Sequence, residues 1–300
     1  MRELVYPMGA DINFYQRKYA GSGIILNGAE AVSNVQEPLG TIYFVPGLSG
    51  TWGDYSPLIL PLAKRFRVCT YDQRGHASSP GKFDVRACAD DLEQIIANGS
   101  RPAGIIGHSI SCRIAVDVAK RYEKNGNPIQ GVYMIEPFLG VDFLNWPQKA
   151  VVSLLCGLAP ALRFLDDAFN EFKKLREMNG FNNRDFLAGY GSMARVDSSE
   201  CVGLNTPVGY MLSDNDSVLG TNSKNHFSRC VRRLNELFFG DRAEFPWYEC
   251  ESAFVKGLNH CLNLQGFKPF LKKERDKHKG IIPFAIESFF YENFEKQLNE

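Results

Sequence analysis

The sequence predicts an α/β protein, with a mostly parallel sheet flanked by helices and one inserted helical segment. Three observations carry that prediction. From residue 41 onward, short β-branched apolar runs alternate with stretches of helical periodicity, the pattern of a parallel sheet covered on both faces. Each run stops at a turn rich in glycine, proline or polar residues. The alternation then lapses between Phe138 and Asn205 and resumes afterwards.

The elements follow in order. In the first forty residues Gly21-Ser22-Gly23 and Pro38-Leu39-Gly40 read as turns, and Gly23-Ile24-Ile25-Leu26 reads as a short strand. Thr41 to Val45 is a strand that stops at Pro46-Gly47, and Tyr55 to Arg65 has helical spacing. Arg67 to Tyr71 is a strand ended by Asp72-Gln73-Arg74-Gly75. Asp84 caps a helix running through Val85, Cys88, Leu92, Ile95 and Ile96. Gly104 to Gly107 is a strand, Ile110 to Tyr122 a helix, and Gly131 to Ile135 a strand. Thr206 to Leu212 resumes the sheet, followed by a helix from Ser223 to Phe239, a last strand from Tyr248 to Val255 and a helix over 280–298. Residues 1–137 and 206–300 are thus expected to form the core, and 138–205 a helical cap. In such sheets ligands bind beyond the carboxyl ends of the strands, which directs attention to the residues after Val45, Tyr71, Gly107 and Ile135.

Composition narrows the function. Thirty-four basic residues balance thirty-four acidic ones, so no overall field draws the chain to nucleic acid. Its longest basic cluster, Lys272 to Lys279, is broken by acids and reads as a solvated face. The most apolar run, Val151 to Leu165, is too short for an integral membrane segment and contains Gly157, Pro160 and Arg163. The N-terminus lacks the apolar core of a signal peptide. Eight cysteines form no Cys-x-x-Cys pair, which argues against a zinc site and for reduced thiols in a cytoplasmic protein. No Gly-x-Gly-x-x-Gly follows a strand, so no nucleotide cofactor is expected.

The chemistry gathers at Gly107-His108-Ser109-Ile110-Ser111. A strand, a Gly-x-Ser-x-small turn and a helix make a nucleophile elbow, in which the serine occupies a strained turn between small neighbours. Two further pieces accompany it, Val45-Pro46-Gly47-Leu48-Ser49-Gly50-Thr51-Trp52 and Asp72-Gln73-Arg74-Gly75-His76-Ala77-Ser78. On these three pieces the chain, from about Thr41 to Phe267, resembles an α/β-hydrolase-fold protein with a helical cap. The first matches the family's His-Gly-x oxyanion loop with Pro46 for the histidine. The second matches Asp-x-Arg-Gly-x-Gly-x-Ser with Ala77 for a glycine, and Ser111 replaces the usual last glycine of the elbow.

The resemblance implies a cofactor-free serine hydrolase that cleaves an ester or related acyl compound, a small molecule and partly apolar, through an acyl-enzyme; within that branch thioesterase, amidase or peptidase, C–C bond hydrolase and lipase chemistry stay open. Ser109 is the implied nucleophile. The order nucleophile, acid, histidine selects His260, in Val255-Lys256-Gly257-Leu258-Asn259-His260, from the five histidines. The segment Leu212-Ser213-Asp214-Asn215-Asp216-Ser217-Val218 resembles Gly-x-x-Asp-x-x-Val and nominates Asp216 as the acid, with Asp214 and Glu136 as alternatives. The backbone N–H groups of Leu48 and Ile110 would form the oxyanion hole. Trp52 and His108 are candidate substrate-binding residues, and Trp52 and Tyr55 equally suit packing of the first helix. Asp72 and Arg74 read as braces of their turn, and Cys261 as a structural thiol. A serine rather than an aspartate at the elbow argues against dehalogenase and epoxide-hydrolase chemistry. The departures at Pro46, Ala77, Ser111 and Asn259, the last standing where the family usually has a glycine before the histidine, admit a second reading, a non-catalytic binding or signalling protein on the same scaffold.

Overall fold

The computed structural model describes residues 3–7, 11–48, 50–100, 102–144, 149–150, 154, 189, 191–213, 224–238, 252–255 and 281–298. Nine strands form one sheet: β1 (Glu3–Pro7), β2 (Ile12–Ala20), β3 (Ile25–Ser33), β4 (Thr41–Val45), β5 (Arg67–Tyr71), β6 (Ala103–His108), β7 (Gly131–Ile135), β8 (Val208–Ser213) and β9 (Ser252–Val255). Their spatial order is β1-β2-β3-β5-β4-β6-β7-β8-β9. β1, β2 and β3 form an antiparallel meander joined antiparallel to β5. From β5 through β9 every pairing is parallel. The helices are α1 (Ser56–Leu62), α2 (Val85–Ala97), α3 (Ser111–Lys124), α4 (Lys224–Phe238) and α5 (Ile281–Leu298).

Strands β4, β6 and β7 are buried along their whole length because helices cover both faces. Alternate residues go to opposite sides. Tyr43, Val45, Ile105, Val132 and Met134 join the layer packed by α2 and α3. Ile42, Phe44, Ile106, Tyr133 and Ile135 join the layer packed by α1 and α5. Helix α2 starts where Asp84 accepts from the N–H groups of Arg86 and Ala87 at 3.1 and 3.2 Å, a cap worth about 1 kcal/mol.

Helix α5 sits on the sheet through an aromatic row. A Cβ at Gly104 would lie 2.3 Å from the Phe290 ring, one at Gly131 would lie 2.7 Å from Phe289, and one at Gly40 would lie 2.0 Å from Phe294. Glycine weakens a strand interior unless another group approaches closely. Here the rings occupy the space that side chains would take.

Two expectations need correction. The single short strand expected in the first forty residues is a three-stranded antiparallel meander, in which Glu30, 2% exposed, accepts from Arg17 Nε at 2.8 Å and Arg67 Nη1 at 2.7 Å. The helix expected from Tyr55 is a 3-10 turn over Trp52–Tyr55 continued by α1. Thr51 and Asp54 form its capping box, with the Thr51 N–H 2.8 Å from Asp54 Oδ2. The remaining expected strands and helices are present with ends shifted by a few residues. Most of the expected cap, including all of the apolar stripe from Val151 to Leu165 except Leu154, lies outside the described residues. Its flanks add Phe143, Leu144, Met193, Val196, Cys201 and Leu204 to the α2–α3 layer.

Candidate active site

β4 lies between β5 and β6, so the chain leaves β4 toward one side and returns on the other. The carboxyl ends of β4, β6 and β7 are in register: Val45 stands opposite Gly107, and His108 opposite Ile135. The three loops that follow begin at Pro46, Ser109 and Glu136 and share this edge, where open α/β sheets bind ligands.

Ser109 occupies the turn between β6 and α3 with φ +56. The left-handed conformation is costly for a residue with a Cβ, by about 1–2 kcal/mol. The backbone around it is fixed by bonds on both sides. Ser109 N–H donates to Ile135 O at 2.9 Å, and Ser109 O accepts from Cys112 N–H and Phe138 N–H, each at 3.1 Å. Gly107 permits the tight turn, since a Cβ there would be 2.5 Å from Ser111 O and 2.7 Å from Cys112 N. The Cys112 thiol below the turn donates to Gly107 O at 3.1 Å, and burial pushes its pKa well up. It therefore stays protonated.

The loop after β4 is held without a histidine. Pro46 O accepts from Gln73 Nε2 at 2.6 Å and from Ser111 Oγ at 2.5 Å. On the far side of the same peptide, Gly47 N–H donates to Tyr55 Oη at 3.2 Å, and that hydroxyl is 2.7 Å from His108 Nδ1. Gly47 O accepts from Gly50 N–H at 3.0 Å. Gly47 must be glycine because a Cβ would lie 2.6 Å from His108 Nδ1.

A trans peptide points its carbonyl and its N–H in opposite directions. The bond that fixes Gly47 O therefore aims Leu48 N–H the other way, and the two bonds on Ser109 O do the same for Ile110 N–H. Neither N–H has a hydrogen-bond acceptor among the described residues. Ile110 also stands at the N-terminus of α3, where backbone donors and the helix dipole favour an anion. Two N–H groups from two anchored loops, both without an acceptor among the described residues, have the donor set of an oxyanion site.

The other residues singled out from sequence fall as follows. Trp52 N–H donates to Asp72 Oδ1 at 2.9 Å, and its half-buried ring lies 5.5 Å from that of Phe14. His108 is buried between Gly47 and Tyr55. Asp72, 3% exposed, has its carboxyl pKa pushed up to about 7, first by burial and then by Asp54, while the Trp52 bond pulls it down. Arg74 makes two 2.7 Å bonds to Asp91, bracing a turn in which Ala77 has φ +44. That left-handed geometry explains why a glycine suits the position. Glu136 is wholly buried one residue past β7, with φ +47 and its N–H 2.9 Å from Met211 O. Asp214, Asp216, His260 and Cys261 lie outside the described residues. The sequence reading missed Gln73 as a ligand of the loop. Its only signal was a polar residue directly after β5, at the edge where the loops meet.

Comparison with known proteins is consistent with this architecture. The chain is 33% identical over 86 residues to a putative carbamate hydrolase, RutD, from Agrobacterium fabrum. That alignment takes in 27% of this chain, which spans only about a third of the relative's length (33%). The fold is that of an enol-lactonase from Burkholderia xenovorans, with a TM-score of 0.61 at 16% identity over 90% of this chain and 99% of the other. A thermophilic esterase from Thermogutta terrifontis superposes with a TM-score of 0.60 at 16% identity, over 92% and 99% of the two chains. The model of the alpha/beta hydrolase family matches residues 42–269, spanning every loop of the candidate site. The chain belongs to the alpha/beta hydrolase family.

Proposed function

We propose that the protein is a serine hydrolase that cleaves a small, partly apolar acyl compound through an acyl-enzyme formed on Ser109. The observation that carries this reading is the pair of aimed N–H groups, Leu48 and Ile110, beside a serine held at φ +56. A serine hydroxyl is a weak nucleophile at neutral pH, so a base must take its proton as it attacks. His260 is that base. The two N–H groups bind the oxygen as the carbonyl becomes tetrahedral, each such donor being worth about 3 kcal/mol in the transition state. His260 then returns the proton to the leaving group, and water repeats the sequence on the acyl-enzyme.

Asp216 orients His260 and stabilises the imidazolium. Glu136 is the second candidate for that role, favoured by its complete burial at the end of the strand next to the one bearing Ser109. Carbamates, lactones and esters, named for the relatives above, share a carbonyl carbon carrying a heteroatom leaving group, and that is the substrate class assigned here. Residues 138–205 form a cap that sets its size. A cytoplasmic location agrees with the thiols of Cys69, Cys88, Cys112, Cys201 and Cys230, all buried and outside any disulfide among the described residues. Among the described residues no helix is long and apolar enough to cross a membrane.

The test is intact mass after exposure to a fluorophosphonate, for wild type, Ser109→Ala and His260→Ala. An adduct on wild type that disappears in both variants supports the reading. A folded wild type that takes no adduct and hydrolyses no small ester moves the assignment to a non-catalytic binding protein on this scaffold. Asp216→Asn, Asp214→Asn and Glu136→Gln, compared in the same assay, decide the acid.

A further inference from the structure

We propose that Gln73 and Ser111 are positioning residues of the oxyanion site, clamping the Pro46 carbonyl so that Leu48 N–H stays aimed at the reacting oxygen. The inference rests on the serine-hydrolase reading and extends it to two side chains that do not touch substrate.

Gln73 is wholly buried. Its Nε2 lies 2.6 Å from Pro46 O and 3.0 Å from Ser111 Oγ. The reversed amide would set Oε1 against the Pro46 carbonyl oxygen, so the acceptor fixes the orientation. In that orientation Oε1 is buried without a hydrogen-bond partner among the described residues, which costs stability that an apolar side chain of similar size would not lose. What an amide adds at position 73 is therefore its two donated bonds.

Ser111 fits the same logic. The elbow needs a small residue there, and glycine would satisfy the space. The hydroxyl adds a second donor to Pro46 O, at 2.5 Å. Pro46 itself has neither an N–H nor a polar side chain, so at that residue only the carbonyl can be held, and by donors from elsewhere. The holding is supplied by the turn after β5 and by the first turn of α3.

The consequence for the site is geometric. With its carbonyl held by Gln73 and Ser111 and its N–H held by Tyr55, the Pro46–Gly47 peptide plane cannot rotate. The next plane starts from that fixed edge and ends in Leu48 N–H. Because Ser111 belongs to the helix that starts just after Ile110, the clamp also ties one oxyanion donor to the other. Their separation is what a tetrahedral oxyanion reads, and errors of about 1 Å at a catalytic group cost up to about 100-fold.

Three variants test this: Gln73→Leu, Ser111→Gly (which restores the family's usual residue) and Ser111→Ala, the smallest change. Saturation kinetics of fluorophosphonate labelling separate KI from kinact, and a small p-nitrophenyl ester gives kcat and KM. Hydrogen–deuterium exchange of peptides covering residues 44–52 reports on the loop directly. The clamp requires kinact and kcat to fall about tenfold or more with KI and KM near wild type, and exchange in the loop to rise. Folded variants with kinact within about twofold of wild type and unchanged exchange overturn it. A wild type that is neither labelled nor active on esters overturns the serine-hydrolase reading instead. The exchange arm then decides the clamp alone, and unchanged exchange removes it.

Discussion

Asparagine at position 72 would keep an acceptor for Trp52 N–H while removing a buried charge. The Asp72 carboxyl is 3% exposed and its pKa moves from 3.8 to about 7, chiefly through burial. With the folded value above the unfolded one, the native state holds the proton more tightly between about pH 4 and pH 7. Stability therefore falls as pH rises through that window, and the whole penalty is present above pH 7. The move corresponds to about 4 kcal/mol at most, of which about 2–3 kcal/mol develops between pH 5 and pH 8. Asp72→Asn has no such titration. Urea denaturation at pH 5, 6.5 and 8, followed by tryptophan fluorescence, should show the variant gaining on wild type by about that amount as pH rises. A difference that stays constant across the three pH values, or that shrinks, would refute the assignment of a buried, proton-holding carboxyl beside the loop after β4.

Three more outcomes are expected. Ser109→Gly should be more stable than Ser109→Ala by about 1 kcal/mol in thermal melts, because glycine relieves the left-handed strain at φ +56; equal stabilities would remove the strain. Phe290→Ala should cost about 3–5 kcal/mol, and Gly104→Ala should also destabilise because its Cβ would meet the Phe290 ring at 2.3 Å; the double variant should lose clearly less than the two single losses combined, and strict additivity in urea melts would show that ring and socket are not coupled. His76 is wholly buried, and burial pushes its pKa down to about 4, so wild type should lose stability as pH falls from about 6.5 toward 4, where the unfolded chain takes the proton first; His76→Gln should flatten that acid slope, and an unchanged slope would assign it to other groups.

The sequence was most legible where both sheet faces are covered. Strands β4, β6 and β7 read as mostly apolar runs because helices leave them no solvent side. The meander before them was obscured by Arg17, Lys18 and Glu30, charged residues inside strands. Burial of Glu30 between two arginines is a tertiary arrangement, and no alternation rule anticipates it. The site divides in the same way. The elbow and the loop after β4 are local in sequence, so Gly107, Ser109 and Gly47 could be read from spacing. Tyr55 and Gln73 act on partners 53 and 27 residues away. Ser111 announced its size but not the use of its hydroxyl, since its acceptor Pro46 lies 65 residues back in the chain.

The glycine sockets under α5 bear on how this protein is made. Gly40 meets Phe294, and Gly104 and Gly131 meet Phe290 and Phe289, so one layer of the core waits for a helix translated long after the strands it covers. At usual elongation rates the interval between Gly40 and Phe294 leaving the ribosome is about 10–50 s. As Phe44, Ile106 and Tyr133 emerge in turn, the strand face they form lacks its aromatic cover until α5 follows, an apolar surface on a nascent chain that chaperones which grip extended aliphatic segments would find open.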